Sequence, residues 1–158
     1  MNKAILAVGG LGLAYAIYRG SKMLAVDDVR GMRNKNPMNV VKTNIDWDGK
    51  VAGNDPTFET FKSYSYGIRA GAKLLVNYQA LYGISTVRGL ISRYAPSHEN
   101  PTNAYIQSVA AGAGVGADEK INVKEKLPKL VKAIINFEVG AVPFSDWYIK
   151  NSIKELTA

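Results

Sequence analysis

The chain has no cysteine and a single histidine, His98, among 158 residues. Lack of cysteine excludes disulfides, thiolate metal sites and cysteine nucleophiles, and leaves the redox compartment open. One histidine excludes multi-histidine metal centres and leaves a Ser-His-Asp triad only His98 to work with. A phosphate-cradling loop is missing too. The glycine-rich GAGVG at 112–116 has neither the following lysine nor the preceding strand of a P-loop. No nucleic-acid-binding motif, internal repeat or low-complexity tract stands out, so no specific nucleic-acid partner is expected. Nothing in this inventory calls for a metal or a cofactor.

Acidic residues are outnumbered, with 13 Asp and Glu against 20 Lys and Arg, a net charge of +7. A modest basic surplus suits an anionic polymer or surface, whether cell-wall glycan with acidic peptides, anionic lipid or nucleic acid. It also serves plain solubility. A hydrophobic content of 47% is ordinary for a globular chain, and the length has room for one domain plus an appendage.

Ala4 to Tyr18, AILAVGGLGLAYAIY, is an uncharged apolar run bounded by Lys3 and Arg19. As a helix it spans about 22 Å, short of the ~30 Å hydrocarbon core. Snorkelling by Lys3, Arg19 and Lys22, with Tyr15 and Tyr18 near one interface, covers the deficit. The favoured reading is a single-pass N-terminal membrane anchor over residues 1–22, then a connector over 23–29. A signal peptide cleaved after Ala14-Tyr15-Ala16 and a buried helix are the alternatives.

Residues 30–158 read as one domain of the α+β class, predominantly helical, with a small antiparallel sheet near its start. Val40-Val41, Ile45 to Trp47 and Thr57 to Phe61 are short strand candidates between the turn signals Asp48-Gly49 and Gly53-Asn54. Helices follow. Tyr66 to Leu81 carries Ile68, Ala72, Leu75 and Tyr78 on one face. Val87, Leu90, Ile91 and Tyr94 fit a second, and Asn100-Pro101 starts a third lined by Tyr105, Ile106 and Val109. Leu127 to Gly140 is a fourth, and Ser145 caps a last one containing Trp147, Ile149 and Ile153.

Carboxylates are the abundant catalytic groups, and Glu138 ranks first among them. Leu127, Leu130, Val131, Ile134 and Phe137 recur at helical spacing, and Glu138 falls on or beside that apolar face. Burial and the negative end of the helix dipole both push its carboxyl toward staying protonated near neutral pH. A general acid needs that property; an ion pair with Lys132 or Arg30 is the plainer reading. Glu99 ranks second. It stands before a helix N-terminus, which favours the ionised form of a base or charge stabiliser, or of a simple cap. Asp46, Asp48, Glu59 and Asp146 each read as structural. Among binding candidates, Asn34, Asn36 and Asn39 of the turn-rich segment RGMRNKNPMN are placed either to hydrogen-bond a sugar or to cap their own backbone. Trp47, in a turn-rich stretch, offers a flat face suited to a sugar.

The segments GMRNKNPMNVV, DWDG, YGIRAGAKLLVNYQALYGISTVRGLISRYAP, SHENPTNAYIQSVA and AIINFEVGAVPFSD occur in this order. Together they resemble a recurrent pattern of phage virion structural proteins with a lysozyme-like or lytic-transglycosylase-like, muralytic domain. The match covers roughly residues 30 to 150. The resemblance implies a membrane-associated virion protein that cleaves the glycan strand of peptidoglycan as the phage enters or lyses its host. The alternative it implies is a non-catalytic virion protein linking an internal membrane to the capsid. It places the acid on Glu138, a second carboxylate on Glu99, and substrate contacts on Asn34, Asn36, Asn39, Tyr94 and Asn100. The implied partners are peptidoglycan, a lipid membrane and other virion proteins. Two departures stand out. The last motif reads Glu138-Val139-Gly140 where the pattern has Asn after Glu, and Tyr94 stands where Trp is common. A circularly permuted order, with the Asn34 to Phe61 region packed beside Glu138, is the arrangement this implies.

Overall fold

The computed structural model describes residues 26–95 and 101–158. A 3-10 turn at Val26–Asp28 leads into a short helix α1 (Arg30–Arg33), two strands β1 (Lys50–Val51) and β2 (Thr60–Phe61), and five helices. These are α2 (Tyr64–Tyr82), α3 (Val87–Tyr94), α4 (Pro101–Ala113), α5 (Val123–Val139) and α6 (Asp146–Thr157).

Helix α5 is the axis of the bundle and packs on α2, α4 and α6. Its buried stripe of Leu127, Leu130, Val131, Ile134 and Ile135 joins Ile68 and Leu75 of α2, Val109 of α4 and Ile153 of α6 in one core. Each such side chain contributes about 1.5–3 kcal/mol through removal from water. The helix begins a turn earlier than the apolar spacing indicates. The Asn122 side chain caps it by accepting from the Lys124 and Glu125 amides. Pro128, the sixth residue of the helix, removes the bond to the Lys124 carbonyl, and the helix continues through it. Gly140, at φ 80°, ends the helix, its N–H bonding to the Asn136 carbonyl. Ser145 caps α6 through the Tyr148 amide at 3.1 Å.

The expected fold class, an α+β lysozyme-like domain with a small antiparallel sheet behind a transmembrane helix, is corrected to a mostly helical body. Among the described residues the sheet is a single antiparallel pair of two-residue strands, with Lys50 opposite Phe61 and Val51 opposite Thr60. One isolated bridge, Val41 to Phe58, extends it. The body is therefore mostly helical with a minimal hairpin. The turn-rich stretch bonds its backbone largely to side chains and turns instead of a ladder, and Ile45 to Trp47 forms no strand. Among the described residues, no helix is long and apolar enough to cross a membrane. The run Ala4 to Tyr18, on which the anchor was placed, lies outside the described residues. Of the expected connector, Val29 is buried in the helical core and Val26 packs against it.

A second, smaller cluster of Val40, Trp47, Phe61 and Ala70 fastens the hairpin region to α2. The approach is close. A Cβ on Gly67 would collide with the Lys35 carbonyl oxygen, and one on Gly71 would lie 2.6 Å from the Met38 sulfur. Gly67→Ala gains about 1 kcal/mol of helix propensity but presses on backbone that cannot yield. A net loss of roughly 1–2 kcal/mol is expected, read as a lowered urea midpoint.

Candidate functional site

Glu138 is only 2% exposed. It lies on the last turn of α5, and its two carboxyl oxygens are held from opposite directions. The Tyr105 hydroxyl of α4 donates to Oε1 at 2.7 Å, and the Asn39 side-chain amide donates to Oε2 at 2.7 Å. Tyr105 is itself fully buried, its ring stacked on Phe137 at 4.0 Å. Burial pushes the Glu138 carboxyl up to about 8, and the two hydrogen bonds pull it back only in part. The group is thus a neutral carboxylic acid at pH 7. Burial and the neighbouring Glu138 together hold the Tyr105 and Tyr94 phenols well above their ordinary range, so both remain donors.

The backbone places Asn39 deliberately. It has φ 51°, in the left-handed region that asparagine tolerates better than most residues. This turns its side chain inward to Glu138, while its own buried Oδ1 has no partner among the described residues. Tyr94 of α3 lies nearby and donates to the Met38 carbonyl at 2.7 Å, tying α3 to the same turn. The Asn34 to Phe61 region therefore does pack beside Glu138, through Asn39.

The remaining amides of the turn bond within the fold. Asn36 is fully buried; its Nδ2 donates to the Val40 and Glu59 carbonyls, and its Oδ1 accepts from the Val40 amide. Asn34 donates to Asp55 at 2.8 Å. Asp55 also takes both arms of Arg30 at 2.6 Å and the Thr57 and Phe58 amides at 2.9 Å. Its carboxyl is held below the ordinary range by these donors, against the opposing effect of burial. The Arg30 guanidinium lies over the Phe58 ring at 4.5 Å. Glu59, also buried, accepts from Lys50 and from the Thr43 amide, both at 2.9 Å.

The structure thus brings Glu138 and Asn39 into contact, with Tyr94 bonded to the carbonyl of the adjacent Met38. It keeps Asn34 and Asn36 in neighbouring but separate hydrogen-bond sets. Trp47 is buried in the smaller core, and its indole nitrogen has no partner among the described residues. It forms part of the wall of a cleft of about 120 Å³ between the hairpin segment and α2, along with Tyr66, Arg69 and Asn77. Glu138 is not among the residues lining that cleft. His98, Glu99 and Asn100 lie outside the described residues. Sequence reasoning missed Asp55 and Tyr105 as polar anchors. Asp55-Pro56 is a turn-initiating pair that signals a side chain folded back on its own backbone, whereas Tyr105 reads from its spacing as plain core.

The fold and this site define a small helical domain organised around buried acids. No family model matches the chain. It is similar to Protein P5 of Pseudoalteromonas phage PM2, with 39% identity over 129 residues that cover 79% of this chain and 80% of the phage protein. The chain belongs to the family of that phage protein.

Proposed function

We propose that this chain is a non-catalytic structural component of a phage virion, in which Glu138 serves to hold the fold together. One observation carries the reading. The Glu138 carboxyl is sealed, with each oxygen already bonded to a buried protein donor. A general acid must come within hydrogen-bond reach of the oxygen it protonates. Here a glycan would have to displace Tyr105 or Asn39 and part α4 from α5. Membership of a phage protein family supports the virion setting.

Glycan cleavage by Glu138 has one specific observation in its favour, the proton retained up to a pH of about 8. The two readings separate in a single assay. The full chain and its Glu138→Gln variant are incubated with purified peptidoglycan at pH 6–7, and released muropeptides are measured. Neither protein is expected to solubilise the polymer. Release by the wild type that disappears in the variant would overturn the structural reading.

A further inference from the structure

The corner between α5 and α6 shows a feature unrelated to the buried acids. Of the chain's two tryptophans, Trp47 is 6% exposed and Trp147 is 72% exposed. A large indole left in water forgoes the burial that its size makes favourable. Trp147 does not stand alone. Lys150 and Lys154 follow one and two turns later, so they share its face of α6, and both are exposed. Ile149, Ser152 and Ile153 are buried on the opposite side of the helix. Lys132 of α5 meets Asp146 at 2.7 Å, which neutralises that acid; Lys129, one turn earlier on the same side of α5, is also exposed. Among the described residues, Lys129, Lys150 and Lys154 have no carboxylate within salt-bridge distance.

We infer that this corner docks on an anionic lipid surface, with Trp147 entering the interfacial layer and the lysines pairing with headgroup phosphates. Tryptophan is enriched at membrane–water interfaces, where one end of the ring is apolar and the other wet. Lysines bury their stems and keep their ammonium groups at the phosphate level. A protein partner is disfavoured because lysine is depleted at protein interfaces and here surrounds the one aromatic anchor. A single-stranded nucleic acid is disfavoured because it needs successive aromatic platforms, and this face has one ring. The inference does not depend on whether Glu138 is catalytic.

The test uses the full chain with vesicles of equimolar phosphatidylglycerol and phosphatidylcholine, the lipids carrying bromine on their acyl chains. Residues 1–25 contain no tryptophan, so binding through that segment alone leaves the indole signal unchanged. The emission of Trp147 is expected to shift to the blue and to be quenched, with no effect from phosphatidylcholine alone and reversal in high salt. Trp147→Phe, which leaves only the buried Trp47, should show no quenching. Lys150→Gln with Lys154→Gln should lower partitioning roughly thirtyfold. Circular dichroism checks that these exposed substitutions leave the helices intact. Vesicle binding by sedimentation with unquenched Trp147 would overturn the inference. So would partitioning indifferent to the two lysines, or a stronger emission change with DNA than with vesicles.

Discussion

At pH 9 the Glu138→Gln variant is expected to be more stable than the wild type, while at pH 5 the two should lie close together. The Glu138 carboxyl titrates at about 8 in the folded chain against an ordinary 4.5. Between those values the folded state holds a proton that the unfolded state has released. Stability therefore falls as pH rises through this window and levels off above about 8, where both states are ionised. Full expression of such a shift is on the order of 5 kcal/mol. Glutamine cannot ionise, so the variant lacks that decline. It also keeps the acceptor for Tyr105, and a flipped Asn39 amide offers its Oδ1 to the new Nε2 donor. Contributions from His98 and the amino terminus are common to both proteins and cancel in the difference. Urea unfolding of each protein at pH 5, 7 and 9 measures it. A wild type as stable at pH 9 as at pH 5, relative to the variant, would show that Glu138 is not held neutral by burial.

The second large effect is expected at Asp55. Asp55→Ala removes the acceptor for Arg30, Asn34 and two backbone amides in a single change. The Arg30 side chain is only 15% exposed and would be left charged without its partner. Breaking such a pair from one side costs about 3–5 kcal/mol, a large share of the roughly 5–15 kcal/mol that stabilises a typical domain. Asp55→Asn keeps part of the amide capping and should lose less. The pH signature is opposite to that of Glu138. The folded carboxyl titrates below its ordinary 3.8, so its contribution is present above that pH and is lost as pH falls below it. Chemical denaturation at pH 7 and an acid titration followed by circular dichroism read both effects. An alanine variant within about 0.5 kcal/mol of the wild type, the range of ordinary surface substitutions, would mean that Asp55 does not anchor the turn.

These two carboxyls also mark how far the sequence alone could be read. The buried stripe of α5 was legible because side chains one turn apart share a face, and that same geometry placed Glu138 at the edge of the core with a perturbed proton affinity. The Ser145 cap was legible because capping is local chemistry, and the start of α4 at Pro101 because proline favours the first helical position. The partners of Glu138 were not. Asn39 lies 99 positions away and Tyr105 lies 33 away, and no periodicity encodes which distant group a buried acid will meet. Both uses of Asn36 were open from its residue type, and only packing decided that its amide would bridge Val40 and Glu59. The sheet was overread for a related reason. Phe61 lies in β2 and Phe58 in the bridge to Val41, but Ile45 to Trp47 forms no strand, and much of the segment is fastened by the Asp55 and Glu59 side chains.

The left-handed backbone at Asn39 has a consequence for how this family can drift in sequence. Whatever stands at position 39 must accept φ near 51° and also present a donor to a carboxylic acid inside the core. Glycine meets the first demand alone, glutamine and serine only the second, and aspartate would set a second acid against the first. Asparagine meets both with the least strain, so substitution here is confined by two independent requirements on one residue.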